Sequence, residues 1–159
     1  MRPAAYIKKD ANRGFSLLEI LLVIALMAAI MALSAPFLAS SFSKNELAAA
    51  SDQLVDALAE ARSAAMNGRS GGKYGVHFET DRFVYFEGET YLVSDLNNAE
   101  HLLSGLVSAT AIDISGGGSD IHFRSASGSA IETGTVQLTD SAGLIKTVTV
   151  NEAGLIDVQ

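Results

Sequence analysis

Between residues 15 and 39 the chain reads FSLLEILLVIALMAAIMALSAPFLA, an apolar run with a single charge, Glu19, and a single proline, Pro36. At 1.5 Å of rise per residue a helix of this length spans the roughly 30 Å of bilayer hydrocarbon. The run therefore predicts a transmembrane helix over 15–39. A secretory signal peptide is the rival reading, because small residues at Ser34 and Ala35 would suit a cleavage site. Its apolar core would be shorter, about 7 to 15 residues, and would hold no acid. An ionised carboxylate in hydrocarbon is costly, so Glu19 demands a partner.

After Pro36 the polarity rises, yet helical spacing persists over 40–68. Leu47, Leu54, Val55, Leu58, Ala61 and Ala65 fall on one stripe, with Asp52, Asp56, Glu60 and Arg62 mostly off it. This half is amphipathic and predicts packing on protein. Ser43 and Glu46 have capping-box spacing, but the alanine-rich flanks favour one nearly continuous helix with a kink at Pro36. Asn67-Gly68 is a plausible stop.

From Gly68 the period shortens. RSGGK is a connector, and KYGVHFE, RFVYFE and TYLVS read as the strands of a meander. NNAEHLLSGLVS reads as a short helical or irregular crossing, and SGGGS (115–119) as a loop. DIHFRS, GTVQLTD, LIKTVTVN and LIDV, punctuated by SAG and EAG, predict an antiparallel sheet with Val136, Leu138, Val148, Val150, Ile156 and Val158 at alternate positions. The predicted class is α+β: a long N-terminal helix, transmembrane in its first half, packed against a C-terminal antiparallel β-sheet head over 69–159. A sheet with one apolar face must cover it, and the stripe on 40–68 is the natural cover.

Charge divides the chain. The formal net charge is −7, but Arg2, Lys8, Lys9 and Arg13 against Asp10 make the first fourteen residues +3, leaving −10 for the rest. A basic leader fits the cytoplasmic side of a membrane, whereas an acidic body repels nucleic acid. No cysteine is present, which excludes disulfides, thiol nucleophiles and thiolate metal sites.

The basic leader ending in Gly14, the apolar run from Phe15 and the acid at Glu19 together resemble the signal of type IV pilins and pseudopilins. The resemblance implies a leader over 1–14, cut between Gly14 and Phe15 by a prepilin peptidase on the cytoplasmic side, with N-methylation of Phe15. It also implies that Glu19 pairs with the N-terminal amine of a neighbouring subunit during assembly, and that Pro36 stands where the family commonly bends or melts its helix. A plain membrane anchor with an accidental glutamate is the bland alternative. Further along, LVDALAEARSAAMNGR resembles the L-x-x-x-L-x-x-A-R-S-x-A signature of the H-type pseudopilins of type II secretion and of FimT-like minor pilins. FRSASG and VTVNEAGLI are similar to that group's closing motifs.

What this resemblance implies is a minor subunit of a pseudopilus or pilus, at or near its tip. Its partners would be other pilins or pseudopilins, an inner-membrane assembly platform and the lipid bilayer, with a single pass through the inner membrane and the head outside the cytoplasm. Some FimT-like members bind DNA through a basic Gly-Arg motif, but here Gly154 is followed by Leu155, Ile156 and Asp157, so a nucleic-acid partner is not expected. No catalytic residue, cofactor or metal is expected either. His77, His101 and His122 are scattered, Ser125, Ser127 and Ser129 lie in a polar turn, SGGGS lacks the lysine and helix of a phosphate loop, and Asp113, Asp120, Asp140 and Asp157 lack calcium-loop spacing.

Overall fold

The computed structural model describes residues 15–68 and 73–159, without the side chains of 33–39. The expected leader, with Gly14, and the connector residues 69–72 lie outside the described residues, as does the side chain of Pro36. Helix α1 is Leu17–Met66. Eight strands follow: β1 Tyr74–Phe78, β2 Arg82–Glu87, β3 Ala99–Leu102, β4 Val107–Ile114, β5 Asp120–Phe123, β6 Gly134–Asp140, β7 Ile145–Val150 and β8 Ile156–Val158. The chain divides between Leu38 and Ala39 into two units.

In the second unit the helix ends where glycine permits. Gly68 takes a left-handed φ of 61° and donates its N–H to Ala65, an αL-type stop. The α+β expectation holds, with a helix against antiparallel strands, but there are two sheets, ordered β3-β2-β1-β5 and β4-β6-β7-β8. DIHFRS, expected beside the last strands, instead joins the first sheet, where Tyr74 faces Phe123 across β1 and β5. Alternation tells a strand which face to bury, not which strand to pair with.

Two further expectations are corrected. TYLVS forms no strand: residues 91–94 belong to a looped segment between β2 and β3, with Leu92 and Val93 exposed. NNAEHLLSGLVS is no helix, because it supplies β3 and the start of β4. The β4 segment also hides a phase change. Val107 and Ala109 face the core, the register slips between Ala109 and Ala111, and Ile112 and Ile114 then recover the inner face. Without the extra residue, Thr110, strict alternation would turn both isoleucines outward.

One core cluster joins the elements. Leu54, Leu58, Ala61 and Ala65 of the helix share it with Val76, Ile121 and Phe123 of the first sheet and with Val136, Leu138 and Val148 of the second. Five of the helix positions are alanine, and these small side chains bring the helix backbone close to both sheets. At the sheet edge Ile156 packs on the core while Val158 is exposed, so the expected alternation fails at the last strand.

Ser43 does not cap a helix. It is buried mid-helix, and its hydroxyl donates to Asp140 Oδ2 at 2.8 Å, while the N–H groups of Ala142 and Leu144 donate to Oδ1. Burial pushes the Asp140 carboxyl up, but the donors from Leu144, Ser43, Ala142 and Gly143 outweigh it and hold the group below the usual carboxylate range. A depressed folded pKa stabilises the head fully above the unfolded value, about 3.9, and that contribution is lost as pH falls through the depressed one. Thermal unfolding of the detergent-solubilised chain from pH 6 down to pH 2 should therefore show a loss of midpoint that Asp140→Asn makes shallower. An unchanged slope in the variant would remove Asp140 from this role.

Candidate functional site

The described part of the first unit begins with Phe15, exposed and just ahead of the helix. The carbonyl of Ser16 accepts the N–H groups of Glu19 and Ile20 and so starts α1. Glu19 lies in the first turn, where an acid complements the partial positive charge of the exposed N–H groups. It is four residues, about one turn, from Phe15. Twelve large apolar side chains between Phe15 and Met31 are exposed. At roughly 2 kcal/mol for each such side chain removed from water, their burial would yield on the order of 20 kcal/mol. Such a surface is suited to lipid or to other helices. Among the described residues no helix is long and apolar enough to cross a membrane. The sixteen helical residues from Leu17 to Ala32 rise about 24 Å, short of a bilayer core by themselves.

A second constellation lies where α1 ends. Arg62 Nε donates to the carbonyl of Gly128 at 3.1 Å, and its Nη2 reaches the carbonyl of Ala153 at 3.5 Å. The N–H of Ala126 satisfies the carbonyl of Ala65 in the last turn of the helix. Gly128 and Gly154 both have positive φ, 66° and 73°. A Cβ on Gly128 would stand 2.6 Å from Met66, and one on Gly154 would stand 2.1 Å from the Gly128 carbonyl oxygen. The three motif pieces noted separately along the chain, Ala-Arg-Ser on the helix and the two closing glycines, thus meet in one knot. Their separation in sequence, 66 residues from Arg62 to Gly128 and 91 from Arg62 to Ala153 beside Gly154, conceals this.

The histidines are closer than they look in sequence. His77 and His122 lie on neighbouring strands, because β1 pairs with β5. His77 Nδ1 meets Asp120, His122 Nδ1 meets Glu132 Oε2 at 3.0 Å, and Tyr91 stacks on the His77 ring at 4.0 Å. Gly75 makes room for this layer, since a Cβ there would meet Phe86 and the Ile121 carbonyl at 2.9 Å. His101 stands apart, stacked on Phe83. Among the described residues no group of three or more histidines and acids is placed to hold a metal ion. Asp120 and Asp140 are taken up by His77 and Ser43, and Ser127 and Ser129 bond to each other at 3.0 Å.

Residues 9–35 match the profile of the prokaryotic N-terminal methylation motif. The match supports a type IV pilin-like protein. It brackets Gly14, Phe15 and Glu19, implies processing by a prepilin peptidase and assembly with other pilins, and favours a structural subunit anchored in a membrane over an enzyme. No curated protein and no solved structure matches the chain.

The knot at Arg62 generates a test. Gly154→Ala combines left-handed strain with a backbone clash, whereas Gly143, with φ 83°, has open space around it. Gly143→Ala should cost about 1 kcal/mol, and Gly154→Ala at least about 3 kcal/mol. Denaturant unfolding of the two variants checks the difference; equal costs would mean that the turns are not clamped.

Proposed function

We propose that this chain is a minor pseudopilin or pilin of the H-type or FimT-like group, assembling at or near the tip of a type II secretion pseudopilus or a type IV pilus. The observation that carries the reading is the methylation motif over 9–35, with Gly14, Phe15 and Glu19 at the required spacing behind a basic leader. The knot of Arg62, Gly128 and Gly154 supports the finer group, because the residues of its motifs form one packed feature.

On this reading the leader, residues 1–14, is removed between Gly14 and Phe15, and the new amine at Phe15 is methylated. Residues 15–39 cross the inner membrane once, the helix half over 40–68 underlies the head, and the head over 69–159 stands outside the cytoplasm. Glu19 accepts the amine of a neighbour's Phe15, which answers the demand for a partner in lipid. Pro36 loosens the helix locally during assembly. The assembly platform of the inner membrane and the other pilins are the working partners. DNA capture by a competence pilus is the weaker alternative, since the charge after cleavage is −10 and Leu155, Ile156 and Asp157 follow Gly154.

Intact-mass measurement of the membrane-extracted protein should give a chain beginning at Phe15, and Gly14→Leu should leave the leader attached, because a branched side chain obstructs the scissile backbone. Glu19→Val should be cleaved normally yet co-purify with partner pilins at least tenfold less, as expected when one member of a buried ion pair is removed. An unprocessed wild-type chain would overturn the reading, and full co-purification of Glu19→Val would remove Glu19 from assembly.

A further inference from the structure

The segment between β2 and β3 is ordered by its own polar groups, yet it sends its aliphatic side chains into solvent. Leu92 is 61 % exposed, Val93 77 % and Leu96 100 %. Tyr91 anchors one end by stacking on His77 and tilting against Phe86. Asn98 Nδ2 donates to the carbonyl of Leu92 at 2.8 Å, the N–H of Asp95 donates to the same carbonyl, and the N–H of Asn97 donates to Asp95 Oδ1. The polar residues are thus spent on holding the loop, and the aliphatic ones contribute nothing to the core. A tip of this kind loses little conformational freedom on binding and gains the burial of three aliphatic side chains.

Charge selects the occupant. Between Lys73 and Leu102 there are six acids against two bases. Both bases are already engaged: Lys73 with Glu89 at 2.9 Å, and Arg82 with Glu79 and Glu100, two carboxylates that raise the guanidinium pKa still further above its ordinary value. These pairs engage three of the six acids, and the loop over 88–98 itself holds Glu89 and Asp95 with no lysine or arginine, so the stretch keeps an acidic excess. This excess repels a second copy of this chain, an anionic bilayer and a nucleic acid alike.

We propose that the loop over 88–98 is a docking surface for another protein, one that presents an apolar depression rimmed by lysine or arginine to Leu92, Val93 and Leu96. The proposal does not depend on the filament reading.

The test places a photoreactive residue at Leu96 of the full-length chain in the prokaryote that makes it, with Ala142, an exposed turn residue, as the control position. A single protein adduct should form from Leu96 and not from Ala142, and the crosslinked peptide of the partner should lie among lysines or arginines. In detergent extracts the adduct yield should fall several-fold as ionic strength rises to about 1 M, where the Debye length is about 3 Å. Val93→Asp should reduce it at least tenfold while the thermal midpoint of the head stays unchanged. An adduct between two copies, an adduct with lipid, a yield that grows with salt, or no adduct above the control would each overturn the proposal. Intact mass at Phe15 is read separately, so failure here and failure of the filament reading are told apart.

Discussion

The second half of α1 is the constraint on which the head depends. Each sheet turns an apolar face to the helix, and neither can shield that face by pairing with itself. Leu54 and Leu58 supply bulk and the alanines supply closeness, so a single stripe serves both sheets at once. A larger residue at Ala61 or Ala65, both fully buried, would have to push a sheet away, because interiors packed to crystal density have no slack. The helix is therefore the one element that no other can replace.

Polar contacts fix how that stripe is seated. Dispersion and burial favour contact but are indifferent to sliding by a turn; directional bonds are not. Near one end of the stripe Ser43 engages Asp140, and near the other Arg62 engages the turns at Gly128 and Ala153. Buried polar groups left unpaired are costly, and any shifted seating would take the Ser43 donor away from Asp140 Oδ2. Two small polar sites thus convert an adaptable apolar surface into a defined register.

The helix was legible because its period is long and repeated; the stripe over Leu47, Leu54, Leu58, Ala61 and Ala65 could be read directly, and all five are buried. Strands β1, β2, β6 and β7 were legible from alternation between turns, and β8 was legible as a strand although its alternation fails. What escaped was nonlocal. The pairing of β5 with β1 depends on a partner far away in the chain, and the bulge at Thr110 resets alternation inside β4. TYLVS misled for a different reason: its β-forming residues are aliphatic without being inward, which is the kind of local inconsistency expected at a surface kept for contact. Roles for Phe15 and Glu19 were expected only from the resemblance to type IV pilins, whereas the meeting of Arg62, Gly128 and Gly154 became visible only once the ends of the head were brought together.

That meeting has a consequence for how the head is made. Ser43 and Asp140 are 97 residues apart, and Arg62 and Ala153 are 91 apart, so the bonds that seat the helix join early to late parts of the chain. As the polypeptide emerges from its amino end, Leu54 and Leu58 appear long before β6 and β7 can cover them. Contacts of such sequence separation close slowly, because the intervening chain must first be gathered in. The newborn helix can be covered early by β1 and β2, which share its core, but the part of its stripe that meets β6 and β7 stays open until the late strands are released.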